Sequence, residues 1–165
     1  MKIRFLTYED ASGFLTLNHQ LDDETQMMLL ESNERTTTME QIQRRIEFTV
    51  QQDNEAVFVA EVDGGLVGYA SVIGGQLCRT AHKASIVTGV LQSHVGRGIG
   101  SKLFETLIEW AEVSPLHRLE LTVMTHNTPA IALYQKFGFQ IEGTKRQSLK
   151  VADTYVDEYI MARVL

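Results

Sequence analysis

Apolar residues recur along the chain with two different periods, and the switches between them mark its elements. Lys2 to Leu6 is a short β-rich run that predicts a first strand. Thr7, with Asp10 three residues on, resembles a capping box, and Ala11, Phe14 and Leu15 begin a buried face, so residues 8–20 read as a first helix. Residues 22–34 mix Asp22, Asp23, Glu24, Glu31 and Glu34 with Met27, Met28, Leu29 and Leu30 and fit neither period. Thr38 and Gln41 form a second capping box, after which Met39, Ile42 and Ile46 keep helical spacing to about Gln52. Ala56–Val62 and Leu66–Ile73, joined by Asp63-Gly64-Gly65, read as a hairpin. A further strand runs from about His82 to Leu91.

The pattern then changes without a spacer. Past a turn holding Gly96, Gly98 and Gly100, the residues Ile99, Leu103, Leu107, Trp110 and Ala111 fall on one helical stripe. Pro115 breaks the chain before a strand at Leu119–Val123. Asn127 is a favoured N-cap and Pro129 is tolerated in a first turn. Ala130, Leu133, Tyr134 and Phe137 mark the buried face of the helix that follows, and Gly138 supplies its stop.

Composition narrows the class. With 165 residues, 44% of them hydrophobic and 22% charged, the chain reads as one domain over residues 1–165 with a sizeable core. A net charge of -6 argues against a nucleic-acid partner, which would need a basic face, and suits a cationic acceptor. The single cysteine, Cys78, excludes an internal disulfide, and Met1–Leu6 is too short for a secretion signal. No apolar run approaches membrane-spanning length, so a cytoplasmic protein without membrane contact is expected. His19, His82, His94, His117 and His126 lack ligand spacing with one another or with Cys78, so no metal site is expected.

The glycine turn carries the candidate chemistry. A helix N-terminus leaves backbone N–H groups without partners and has a partial positive charge, so residues 95–101 form an anion seat. A dinucleotide fingerprint would need G-x-G-x-x-G, but Ser101 stands where its last glycine belongs, and Gly100-Ser101-Lys102 inverts the order of a triphosphatase loop. A tight strand-to-helix turn with no ligand also fits these residues.

Val90, Gly96, Arg97, Gly98, Ile99, Gly100 and Ser101 fall in register with a pattern that resembles the pyrophosphate loop of the GNAT acyltransferases. Val95 departs from it, standing where that family has Gln or Arg. Residues 127–139, N-x-x-A-x-x-L-Y-x-K-x-G-F, are similar to the family's second motif, so the resemblance covers residues 84–139 and extends to closing strands in the tail. It implies a single GNAT-type domain of the mixed α/β class. The element order is then β, α, α, β, β, β, α, β, α, β, β, with about seven strands in a mixed, mostly antiparallel sheet and about four helices. Strands 4 and 5 would be a parallel pair that splays.

The resemblance also implies acetyl-CoA as cofactor and an N-acetyltransferase that acts by direct transfer to an amine: a small amine, an amino acid or a protein N-terminus. Its diphosphate would lie on Val95, Gly96, Arg97, Gly98, Gly100 and Ser101, and Asn127 would add a contact while capping its helix. Val90 or Leu91 would supply, at a strand bulge, the N–H that meets the thioester carbonyl as it becomes an oxyanion. Tyr134 matches the family's acid for the departing sulfur, although a core tyrosine would share the same helix face. The base is not carried over: Ser85 lies near the family's usual Glu, and His82 is the candidate because imidazole titrates near neutrality. The acidic stretch 22–34 falls where the family builds its acceptor pocket. A homodimer is compatible with this reading, and a non-catalytic acyl-CoA binding domain is its rival.

Overall fold

The computed structural model describes residues 1–165. Its elements follow the expected order: β1 (Lys2–Phe5), α1 (Ala11–Glu24), α2 (Met39–Thr49), β2 (Ala56–Val62), β3 (Gly65–Gly74), β4 (Lys83–Val90), α3 (Ile99–Val113), β5 (Arg118–Met124), α4 (Thr128–Lys136), β6 (Gln140–Val151) and β7 (Thr154–Val164). The first helix starts later than its pattern predicts, because residues Tyr8–Asp10 wind as a 3-10 turn on which Asp10 accepts from the Thr7 N–H and hydroxyl. The capping box at Thr38 is reciprocal, with the Gln41 amide donating to Thr38 Oγ1 and the Thr38 amide to Gln41 Oε1. Residues 25–38 contain no helix or strand.

All seven strands join one sheet in the order β1-β2-β3-β4-β5-β7-β6. Every pairing is antiparallel except β4 with β5, which forms because the chain leaves the sheet through α3 and returns beside the strand it left. That parallel ladder is short. Only Lys83, Ala84 and Ser85 pair with Arg118, Leu119 and Glu120, and beyond them the two strands part.

Helices cover both faces of the sheet. Phe14 of α1 meets the Tyr69 ring edge-on at 5.2 Å, whereas Trp110 of α3 meets Phe58 on the opposite face at 6.1 Å. The buried stripe of α3 is wider than its sequence period implies, since Phe104 and Ile108 join Ile99, Leu103, Leu107 and Ala111. The reason is that α3 packs on the sheet with one side and on α4 with another. Phe104 faces Tyr134 and Phe137 of that second contact, with ring centroids 5.2 Å and 5.7 Å away.

Candidate active site

The glycine turn offers backbone donors. Gly96 and Gly98 both take φ of 78°, a left-handed conformation that costs other residues about 1–2 kcal/mol. Val95, in an extended conformation, ends the 3-10 turn at Gln92–His94, and the left-handed glycines that follow let Gly98 serve as N-cap of α3 without any side-chain cap. The first amide to find an intrahelical partner is that of Lys102, which donates to the Gly98 carbonyl. Six consecutive amides, Gly96 through Ser101, therefore have no acceptor in the chain. Gly100 has a different task from the other two glycines. A Cβ there would lie 3.2 Å from Leu133 Cδ2, so glycine lets α4 approach the start of α3.

Charge gathers at the same place. Arg97, Lys102 and Lys136 surround the turn and none of them pairs with a carboxylate, on a chain whose net charge is -6. Lys136 reaches across from α4 to Ser101 Oγ at 3.4 Å. Val95 points into solvent with 56% of its surface exposed, so a valine there leaves the turn intact while offering the rim no polar group. Ser101 gives a direct test, because a carboxylate at this third helical position favours the helix and repels a bound anion. Ser101→Asp is expected to keep or raise Tm while weakening coenzyme A binding about 30-fold, roughly 2 kcal/mol, in titration calorimetry. Unchanged affinity would place the anion elsewhere.

The gap between the parting strands is lined by β4 backbone. Leu91 donates its N–H to the Val67 carbonyl at 2.9 Å, so the residues of β4 that face β3 are Leu91, Gly89 and alternate residues before them. Val90 and Thr88 consequently turn their N–H and C=O groups toward β5, past the end of the parallel ladder. Of the two candidates for the thioester contact, Val90 has an amide free for a ligand and Leu91 does not. No bulge is involved either, since β3 and β4 keep one register from Gly68–Val90 to Gly74–Ala84. Strand alternation alone aims the amide.

Tyr134 sits where α4 ends, and that end fixes it. The Phe139 amide donates to the Tyr134 carbonyl at 3.0 Å and the Gly138 amide to Gln135 at 3.0 Å, the paired bonds of a Schellman cap, with Gly138 at φ 82°. The hydrophobic contact that accompanies such caps is Phe139 against the Tyr134 ring, 6.2 Å between centroids. The Tyr134 hydroxyl makes no hydrogen bond within the chain. Burial pushes its pKa up to about 12, and a neighbouring Tyr69 adds to the shift, so the group is protonated at neutral pH. Asn127 caps α4 through Oδ1, which accepts from Ala130 at 3.3 Å. That oxygen is committed, which leaves its amide nitrogen for any ligand.

His82 is not brought to this place. It precedes β4, at the closed end of the gap, where its carbonyl accepts from the His117 and Arg118 amides at 2.7 Å and 3.1 Å. The strand carries Val90 about 26 Å away from it. As a base for chemistry beside Val90 and Tyr134 it is too remote, and the correction has a plain cause: the strand is paired at one end and open at the other. The acidic stretch is also differently placed than its sequence implies. Asp22 is buried against Arg35, Asp23 binds Ser32, Glu34 accepts from the Glu31 amide, and Glu24 accepts from the Gln92 amide at 2.9 Å.

A sheet that parts between two parallel strands, with six free amides and three unpaired cations at the turn that opens α3, defines an α/β protein with a cleft in its own sheet. The family follows from comparison: a model described as the Acetyltransferase (GNAT) family matches residues 17–139, and the chain belongs to that family. The L-amino acid N-acetyltransferase AaaT of Escherichia coli (strain K12) is 40% identical over 110 residues, which cover 64% of this chain and 66% of that protein. The N-alpha-acetyltransferase RimI of Mycobacterium tuberculosis is 37% identical over 106 residues, 63% of either chain. Each match spans slightly less than two thirds of the relative's own length. A crystal structure of a GNAT-family acetyltransferase from Streptococcus pneumoniae superposes with a TM-score of 0.96 at 29% identity, covering 99% of this chain and 98% of that one.

Proposed function

We propose that the protein is an acetyl-CoA-dependent N-acetyltransferase that moves an acetyl group to a primary amine by direct transfer in a ternary complex. The observation that carries this reading is the run of six partnerless amides at the rim of a gap into which Val90 turns its own N–H. The residues present fit acetyl-CoA. A diphosphate needs close backbone approach and positive potential, and Gly96 to Ser101 with Arg97, Lys102 and Lys136 supply both. An extended amide-bearing arm needs a strand edge, and Thr88 and Val90 supply one. When bound, acetyl-CoA supplies an activated acyl group as a thioester.

The remaining work belongs to the chain. In this reading Val90 N–H would donate to the carbonyl oxygen of that acyl group as it gathers negative charge, a contact made by a donor that does not reorganise. Tyr134 holds a proton on its hydroxyl at neutral pH and would donate it to the sulfur as the carbon–sulfur bond breaks, and the proton shed by the newly acylated nitrogen would restore the phenol. The amine must arrive unprotonated, since an alkylammonium with a pKa of roughly 10.4 has no lone pair to offer. AaaT is named for L-amino acids and RimI for N-alpha amines, and an acceptor of this kind is proposed here too.

The test is thiol release. Purified protein incubated with acetyl-CoA, a panel of amines and a thiol reagent is expected to liberate coenzyme A only when a reactive amine is present. Tight coenzyme A binding without release from any amine would favour a non-catalytic acyl-CoA binding domain. Tighter binding of NAD or ATP than of coenzyme A would replace the ligand altogether.

A further inference from the structure

Between α1, α2 and the sheet lies a cavity of about 280 Å³ that the anion seat does not use. Its floor is the face of β3 and β4 that carries Tyr69, Ser71 and Val87. Val87 immediately precedes Thr88, so this floor runs up to the stretch of β4 that has no β5 partner. Tyr69 joins the two regions. Its ring packs on Phe14 at the cavity wall, its burial raises its pKa to about 12, and its phenol lies within electrostatic reach of Tyr134.

We infer that this cavity seats the acceptor, and that the acceptor is an amine bearing its own carboxylate: a free amino acid with an uncharged, largely apolar side chain. The inference rests on the transfer reading above and adds the class of acceptor. Two arginines, Arg35 and Arg45, line the cavity, and no aspartate or glutamate does. The carboxylates that pair with them, Asp22 and Glu55, have side chains only 2% and 1% exposed and do not line this cavity. Arg35 donates Nε and Nη2 to Asp22 at 2.6 Å and 3.1 Å, which leaves Nη1 unused. Arg45 donates only Nη2 to Glu55, which leaves Nε and Nη1. A guanidinium has five N–H donors in a fixed plane and suits a carboxylate.

The buried carboxylates do two things for such a site. They tether the guanidinium groups before the ligand arrives, Arg35 by two bonds and Arg45 by one, and they offset the charge, so a bound carboxylate can leave again. A polyamine finds the reverse. Its second ammonium would meet Arg35, Arg45, Asn18, Gln41 and hydroxyl groups, with no anion to balance it. Size and walls agree with a small apolar side chain. Ligand sites commonly run to about 300–1,000 Å³, so 280 Å³ is at the low end, and Phe14, Ile73 and Val87 make the lining mostly hydrophobic.

The experiment compares L-leucine, L-leucinamide and spermidine as acceptors for acetyl-CoA. L-leucine is expected to exceed L-leucinamide about 30-fold in kcat/KM, the scale of one lost charge-assisted contact, and spermidine by more. In Arg45→Ala the preference for L-leucine over its amide should fall to near unity. Glu55→Gln accompanies Arg45→Ala, so that the side chain left behind, only 1% exposed, carries no unpaired charge and the fold is retained. Arg35→Ala is combined with Asp22→Asn, so that no unpaired charge is buried, and is expected to act in the same way. An amide or polyamine used as well as L-leucine, or a preference that survives both variants, overturns the inference while leaving amine transfer standing. If no amine releases thiol, the transfer reading fails, and titration of L-leucine into the coenzyme A complex still decides the cavity. Binding weakened by Arg45→Ala supports the assignment, and absence of binding overturns it.

Discussion

Tyr134→Phe is expected to lower kcat about 100-fold while leaving coenzyme A affinity and Tm nearly unchanged. The ring stays, so its contacts with Phe104 at 5.2 Å and Phe139 at 6.2 Å remain, and the lost hydroxyl had no partner within the chain. Only the proton donor disappears. Stopped-flow or steady-state thiol release measures the loss, and full turnover in the variant would remove Tyr134 from the chemistry. A second readout uses pH. Burial raises the Tyr134 pKa from 10.0 to about 12, so the folded state prefers the neutral phenol. Below pH 10 both states keep the proton and the stabilisation is complete. Between pH 10 and 12 the unfolded chain releases it first, so stability falls as pH rises and is lost beyond about pH 12. Tyr69 is shifted in the same direction to about 12. Urea titrations from pH 9 to 12 should show the variant losing less stability than the parent, by on the order of 2 kcal/mol.

Phe104→Ala should unfold the protein more readily than any change at the rim, by about 3–5 kcal/mol. Phe104 has no exposed surface, and its ring touches those of Tyr134, Phe137 and Phe139, so one side chain joins α3, α4 and the approach to β6. Since a domain of this size has only about 5–15 kcal/mol to lose, the variant would sit near its limit. The check is a urea midpoint that drops with an unchanged slope. Phe104→Leu, which keeps much of the volume, is expected to lose well under half as much. An unchanged midpoint for Phe104→Ala would mean that α4 is held by its Schellman cap alone.

The elements were legible where local chemistry decides them. The capping box at Thr38, the stop at Gly138 and the glycine turn before Ile99 each name a backbone conformation that few other residues favour, and each is found where the sequence implies it. Boundaries were less legible, as at residues 8–10, where a 3-10 turn takes the place of α-helix. The closing β6-β7 turn places Ala152 and Asp153 at φ of 45° and 63°, and Ala152, unlike the aspartate, gives no sign of a left-handed turn. Sheet pairing holds them there.

Of the candidate site, the backbone parts could be read and the long-range parts could not. Gly96 to Ser101 can be read as a turn of free amides that opens a helix because the motif is continuous. His82 failed because a strand's two ends look alike in sequence, while only one of them opens on the gap. Residues 22–34 read as an acidic surface, but the sign that matters at the cavity comes from Arg35 and Arg45, whose partners lie 13 and 10 residues away. No local period reports such pairs. Asp22 offered a hint, as a charged residue next to buried Leu21 on the same helix, and only Arg35 resolves it.

The three-residue ladder between β4 and β5 has a mechanical meaning. In most sheets the middle strands are the best secured, yet here the midline is the weakest seam, stitched at one end and otherwise left to side chains and to whatever enters. Two half-sheets, β1 to β4 and β5 to β7, hang from that stitch like the covers of a book. A ligand lying along Val90 would therefore act as a missing strand, and the protein would be stiffest with that ligand in place.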